Sequence, residues 1–598
     1  MRRIGRFFLY MFASVGALVT LAFVSVIVLA VTYEKAAPEL PEQIFLRLDL
    51  DRGISDSRSD DPWRQLRGDK TVHLYDVVDT LATAEKDDRV VGLVIRLGAT
   101  RIGLVHAQEL RQSIEAFRSR GKFAMAFAQT FGGLGNGTTE YYLASSVDEI
   151  WVPPSGQLSL LGIGLETPFL KDALDKVGVQ AEFEQRHEFK SAIETLTRDA
   201  MSAPARASLL QVVTAWFDRI VADIAKDRKI SPETLRQLVD RSPLLVEEAK
   251  NAQLVDRLGY WDEFTDAVRA RAGKEAKGLK FSAYAAHVES PGPDGTDVAL
   301  IYGVGPIQSG DADNSPWDSD VFSAASVARA IDDAVKDQAI KAILLRIDSP
   351  GGSYIGSDTV RRAVLRARKK GKPVISSMGS YGASGGYFVA MGADKIVAQP
   401  GTMTGSIGVF GGKLATADLW EKLGINWNRL NVGAHAGMWS QIFPFSPTAA
   451  ARHRAVIDFV YDDFARKVAE DRRLSDDQVD AVARGRIWSG TGARRVGLVD
   501  ALGGYATAAS LVREALKLDA EAPINFVVLP EPLSPLDRVR EALNDGVPLM
   551  QILVSQFSEA RPDTMAAVGR YLEPVFGDTS VLRPPAGVLQ LPPLRLAP

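Results

Sequence analysis

The chain carries one pattern twice, and this repetition restricts its fold more than any other feature. Residues 90–98 read V-V-G-L-V-I-R-L-G and residues 340–348 read I-K-A-I-L-L-R-I-D, each a continuous apolar run broken by an arginine at the same place, Arg96 and Arg346. Each run leads into a helical segment that ends at Gly-Lys: Gly121-Lys122 in one case, Gly371-Lys372 in the other. Y-Y-L-A-S-S-V-D-E-I from Tyr141 returns as Y-F-V-A-M-G-A-D-K-I from Tyr387, and L-V-D-R-L-G from Leu254 returns as L-V-D-A-L-G from Leu498. The separation of matching points drifts only from 250 (Val90 to Ile340) through 246 (Tyr141 to Tyr387) to 244 (Leu254 to Leu498). Buried-strand runs alternating with helical stretches predict βαβ units and a mostly parallel sheet covered on both faces. Units of this size are too long for a solenoid repeat and indicate a duplicated domain. The halves divide at a Pro-, Gly- and acid-rich stretch, His287–Asp297, so the expected units are 34–290 and 291–520, followed by a proline-punctuated arm over 521–598.

A chain of 598 residues exceeds a single core, which agrees with two domains. Its net charge of -4, with no long basic block, makes nucleic acid an unexpected partner. It contains no cysteine, which excludes disulfides, thiolate metal sites and a cysteine nucleophile. From Phe7 to Tyr33 there is no charged residue; Arg2, Arg3 and Arg6 precede this stretch, and Glu34 and Lys35 follow it. Roughly 20 apolar residues cross a bilayer, and basic residues stay inside. The pattern predicts a cytoplasmic segment over 1–6, a membrane helix over 7–33 and an exported remainder. A signal peptide cleaved near Ala36-Ala37 is the alternative, but the apolar run is longer than such peptides use.

Two glycine-rich segments of the second half invite a catalytic reading: Asp348-Ser349-Pro350-Gly351-Gly352 after the apolar run, and Gly382-Ala383-Ser384-Gly385-Gly386 at the start of a helical stretch. Glycines beside a serine allow close approach of a substrate, and the N–H groups of a helix start can hold an oxyanion. A plain helix N-cap is the structural alternative for Ser384. Neither segment has the spacing of a phosphate loop. In the register of the repeat, Ser384 matches Thr138, where the flanking glycine pair is gone, and Asp348–Gly352 matches Gly98–Ile102. The first half instead carries His187-Glu188-Phe189-Lys190-Ser191-Ala192, where the second has Gly433-Ala434-His435-Ala436-Gly437-Met438. One half thus has a serine setting without a lysine, and the other has a lysine without the serine setting. A lysine placed among Phe189, Ala192 and Ile193 can lose enough pKa by burial to serve as a base near neutral pH. His435 is the rival base, and no H-E-x-x-H spacing suggests a metalloprotease.

With D-S-P-G-G at Asp348–Gly352, A-S-G-G-Y at Ala383–Tyr387, T-G-S-I-G-V at Thr404–Val409 and F-K-S-A-I-E at Phe189–Glu194, the sequence resembles the long form of the bacterial signal peptide peptidase A (protease IV) family. The resemblance covers roughly residues 1–520. It implies an α/β fold of tandem Clp-protease/crotonase-like domains after one transmembrane helix. It also implies a Ser/Lys dyad of Ser384 and Lys190, with Ser406 orienting the lysine, and an oxyanion hole from Gly351 or Gly352 together with Gly385. No cofactor and no metal are implied. The implied protein is a homotetramer on the periplasmic face of the bacterial inner membrane, degrading remnant signal peptides and other apolar peptides. A non-catalytic membrane scaffold and an acyl-CoA enzyme of the crotonase type are the competing functional classes.

Overall fold

The computed structural model describes residues 40–51, 53–56, 72–98, 102–288, 295–310, 321–530, 588–590 and 595–596. The expected cytoplasmic segment and membrane helix, over 1–33, lie outside the described residues, as does most of the arm. Among the described residues no helix is long and apolar enough to cross a membrane.

Both apolar runs are inner strands of parallel sheets. In the first half the order is Arg257–Leu258, Glu149–Val152, Phe123–Ala128, Val90–Leu97, Ile44–Asp49, Lys277–Lys280. In the second half, Ala501–Leu502, Lys395–Ala398, Val374–Ala383, Ala342–Ser349, Thr296–Val304 and Ile524–Leu529 follow one another in the same order. The last of these strands carries the second sheet past the boundary expected at residue 520. Met403–Gly405 and Ile487–Ser489 extend that sheet beside the end of Val374–Ala383.

The unbroken apolar character of these strands follows from burial on both faces. Successive side chains point to opposite sides. Val298, Leu300, Ala342 and Leu344 therefore join one core with the first half's residues. Ala299, Ile301, Ile343 and Leu345 join a second core with the helices of their own half. The second sheet is thus lined on one side by the first half of the chain.

The repeated motifs are the places where each half is pinned together. Tyr141 donates its hydroxyl to the Leu254 carbonyl at 2.7 Å, and Tyr387 does the same to Leu498 at 3.1 Å. Asp256 accepts from the Ile150 amide and Asp500 from the Ile396 amide, while Arg228 and Arg472 hold the same two carboxylates. Those arginines sit at the ends of two long helices, Ala203–Arg228 and Pro447–Arg472. Each helix starts at a serine, Ser202 or Ser446, whose hydroxyl accepts an amide three residues on, with proline in the first turn.

A smaller mixed sheet joins the halves. Its order is Phe322–Ser323, Ile307–Gln308, Gly351–Ser353, Val588–Gln590, Phe410–Ala415, Gln180–Gln185. The last of these belongs to the first half, yet pairs antiparallel with Phe410–Ala415 of the second. Removing either helix cap by Ser202→Ala or Ser446→Ala is expected to cost about 1 kcal/mol of stability. Urea unfolding of the purified chain checks this, with peptide hydrolysis unchanged below the transition.

Candidate active site

Ser384 stands where the strand Val374–Ala383 turns into the short helix Gly385–Ala390. Its backbone has φ 55° and ψ -115°, a sparsely populated region for a residue with a Cβ. The turn is held by its N–H donating to Gly405 O at 2.8 Å and by the Phe388 N–H donating to its carbonyl at 2.9 Å. The hydroxyl makes no capping bond to the helix, so the N-cap alternative fails. The matching Thr138 differs. Its hydroxyl is bonded to Asn136 Oδ1 at 2.6 Å and accepts the Gly162 amide at 3.1 Å, a structural use.

The glycines around Ser384 allow backbone to lie on backbone. A Cβ on Gly385 would sit 3.1 Å from the Gly352 nitrogen and 2.6 Å from Ser357 Oγ. Gly352 has φ 153°, and a Cβ there would strike the Ile307 backbone at 2.3 Å. The Gly351 N–H donates to Ser349 Oγ at 3.2 Å. The Gly352 nitrogen and the helix start at Gly385 therefore lie side by side next to Ser384, while the amide of Gly351 is already engaged.

Lys190 arrives from the other half. The Gln180–Gln185 strand ends with Gln185 opposite Phe410, and the chain continues with Arg186 N–H donating to Val409 O and Phe189 N–H to Arg484 O. This delivers Lys190, 1% exposed, to Ser384. Its Nζ is 2.6 Å from Ser384 Oγ, 2.9 Å from Ser406 Oγ and 3.0 Å from Ser406 O. Gly485 and Gly408 make room for it: a Cβ on the first would lie 2.3 Å from the Lys190 nitrogen, and on the second 3.2 Å from Lys190 Cδ. Burial alone pushes the Lys190 amine well below the usual lysine range. Ser406, also in the left-handed region at φ 51°, is fixed by its N–H donating to Arg486 O at 2.8 Å.

Ser384, Lys190, Ser406, Gly352 and Gly385 are therefore together. His435 is not among them: it is exposed on the segment 433–440, whereas Ser384 is fully buried. Two further features lie beside Ser384. An apolar cluster contains Ala383, Met403 and Ile487 with Leu209 and Val212 of the first half, and partly buried Leu165, Met201, Trp216 and Tyr381 pack on it. In addition, Val588–Gln590 runs antiparallel to Gly351–Ser353 and pairs with Phe410 on its other side, an extended backbone laid along the glycine strand. Sequence reasoning missed a buried ionic cluster around Arg346, although an arginine inside an apolar strand was its visible sign.

A family model described as Peptidase family S49 matches residues 129–275 and 366–519. Protease 4 of Salmonella typhi is 30% identical over 457 residues, covering 74% of this chain and 72% of that protein. Protease 4 of Haemophilus influenzae is 28% identical over 518 residues, covering 81% of this chain and 82% of that protein. The chloroplastic serine protease SPPA of Arabidopsis thaliana is 28% identical over 483 residues, covering 78% of this chain and 69% of that protein.

The depressed Lys190 pKa has a thermodynamic consequence. Below its folded pKa the chain must bury a full charge; between that pKa and the unfolded value near 10.4 the unfolded state binds more protons, so stability rises with pH. Lys190→Met is accordingly expected to raise the melting temperature near neutral pH and to flatten its rise toward alkaline pH. Thermal scans from pH 6 to 10 measure both effects.

Proposed function

We propose, for a chain that belongs to peptidase family S49 and is a serine peptidase, that Ser384 is the nucleophile and Lys190 its general base. The observation that carries this is the 2.6 Å separation of Lys190 Nζ and Ser384 Oγ, with both residues buried. A neutral amine has one lone pair and two N–H groups. The lone pair takes the Ser384 proton as Oγ attacks the peptide carbonyl, and the N–H groups donate to Ser406 O and Oγ, which fixes the direction of the lone pair. The oxyanion that forms is held by the amides of Gly352 and Gly385, while the Gly351 amide keeps the turn closed through Ser349. The lysine then returns its proton to the leaving amine, and water releases the acyl group by the reverse use of the same base.

The substrate class is inferred from the two features beside Ser384. The strand Val588–Gln590 on Gly351–Ser353 supports an extended peptide bound by its backbone, and the apolar cluster beside Ala383 supports apolar side chains. Remnant signal peptides and other short apolar peptides fit both. The apolar stretch over 7–33 supports an anchor in the bacterial inner membrane, with the two halves in the periplasm. The shared strand order of the two main sheets supports two copies of one Clp-protease/crotonase-like domain.

Assembly as a homotetramer is supported by an asymmetry between the copies. Arg346 lies 4.4 Å from the Tyr505 ring centre and is wholly buried against the first half. Its counterpart Arg96 lies 5.5 Å from the Trp261 ring centre, where Leu134, Tyr260 and Trp261 are exposed. A head-to-tail contact with another copy would cover that face, and such contacts form a ring where the rotation between copies closes.

Ser384→Ala and Lys190→Ala are expected to lower kcat on an apolar fluorogenic peptide by about 10⁴-fold or more, and Ser406→Ala by about 10²-fold. Wild-type kcat/KM should rise with pH through the depressed Lys190 pKa. Near-normal turnover of Lys190→Ala at neutral pH sinks the dyad, and failure of a fluorophosphonate to label Ser384 favours the scaffold reading. For location and assembly, the full chain is expected to resist carbonate extraction from membranes and, in detergent, to scatter light as four copies. Trp261→Glu should break it into smaller species.

A further inference from the structure

Arg346 interrupts an inner strand of the second sheet and is 0% exposed. Its Nε and Nη2 donate to Asp56 Oδ1 at 3.0 and 2.7 Å, Nη2 also to Glu109 Oε2 at 3.0 Å, and Nη1 to Ser377 Oγ at 2.9 Å. Asp56 and Glu109 both belong to the first half. The other oxygen of Glu109 accepts the Tyr505 amide at 2.6 Å, and the other oxygen of Asp56 lies 2.9 Å from His106 Nε2. Asp348 completes the group: a carboxylate oxygen of Asp348, one of Asp56 and a ring nitrogen of His106 lie within 4.8 Å of one another.

Asp348 stands at a break in the sheet. The ladder between Ala342–Ser349 and Val374–Ala383 pairs Ile347 with Met378 and then jumps to Ser349 with Gly382. Across the gap Asp348 Oδ1 accepts the Tyr381 N–H at 2.7 Å. Gly379 lets the strands close here, since a Cβ would lie 2.9 Å from Asp348 Cγ and from Asp56 Oδ2. One strand goes on to Gly351-Gly352, and the other goes on to Ser384. We propose that Asp348 is a positioning residue for peptide hydrolysis: bonded to the Tyr381 N–H and facing the His106 ring of the first half, its carboxylate sets the distance between the Gly352 amide and Ser384. This rests on the reading of Ser384 and Gly352 given above. On it, the first half contributes a clamp on the oxyanion site as well as the lysine.

The electrostatics agree with that geometry. Burial, and then the charge of Asp56, push Asp348 up to about 6. Burial would lower His106, but its hydrogen bond and charge contact with Asp56 outweigh this and raise it. Burial would also raise Asp56, yet Arg346 and His106 hold it well below the usual carboxylate range. At pH 8 Asp348 is therefore an ionised carboxylate facing Asp56, His106 and Arg346, with Glu109, Tyr381 and Tyr505 on the neighbouring elements. Its folded pKa is raised, so stability falls as pH climbs from about 4 through about 6 and is level above. A clamp of this kind works at the expense of stability, which distinguishes it from a purely structural residue.

The test uses the full-length enzyme with Asp348→Asn, His106→Gln and the double variant. At pH 8, Asp348→Asn is expected to lower kcat by about 10-fold or more with KM within about twofold, because displaced oxyanion donors weaken transition-state binding more than substrate binding. Affinity for a peptide boronate should fall in parallel, the melting temperature should not drop, and the pH limb set by Lys190 should keep its midpoint. The double variant should lose less than the product of the single losses. A kcat within twofold of wild type, a loss carried by KM, a lowered melting temperature with activity recovered on cooling, or a divalent cation that raises the melting temperature of wild type but not of Asp348→Asn would each overturn it. Fluorophosphonate labelling of wild-type Ser384 in the same preparations separates failure of the clamp from failure of the dyad.

Discussion

A lysine amine buried beside a serine hydroxyl, with no counter-charge among the described residues to hold its proton, is the contact on which the rest of the molecule turns. Burial holds the Lys190 pKa down, and it does so by keeping water from the amine. The exclusion is built from both halves: the Gln180–Gln185 strand seats in the mixed sheet, while Gly408 and Gly485 let backbone close around the side chain. Neither half alone could enclose the amine, because the walls of its pocket come from the Ser406–Val409 and Arg484–Arg486 segments of the second half.

The two halves show how one scaffold is put to two uses. The pins that hold each half together are kept in both: Tyr141 and Tyr387 on a carbonyl, Asp256 and Asp500 on an amide and an arginine. What differs lies at the turn into the short helix and at the arginine inside the repeated strand. Thr138 uses its hydroxyl within its own loop, whereas the hydroxyl of Ser384 is left for the lysine. Arg96 pairs with half-exposed Asp51 at 3.2 Å, whereas Arg346 is enclosed by acids from the opposite half. In the second half the divergent residues, Ser384 and Arg346, thus face the first half.

Much of this was legible in advance. The strand runs, the Gly-Lys helix ends and the serine between glycines are local patterns, and the register of the repeat assigned lysine to one half and serine to the other. The strand Ile524–Leu529, past the expected boundary at residue 520, was not read, because a short apolar strand at a sheet edge carries little periodic signal. Asp56, Glu109 and His106 were invisible as a group. They are scattered polar residues in the first half, and nothing in their spacing says that one buried arginine gathers them.

The sequence by itself determined the two sheets, their burial on both faces and the residue types able to attack a peptide bond, since these depend on side-chain period, glycine placement and near-neighbour chemistry. Only the tertiary structure decided that Lys190 sits 2.6 Å from Ser384 and that Gly352 rather than Gly351 has its nitrogen beside Gly385. It alone decided that Asp348 is shared between the halves. Distances between residues far apart in the chain, and the loss of water that shifts a pKa, are set by how two folded surfaces close on each other, which no local pattern encodes.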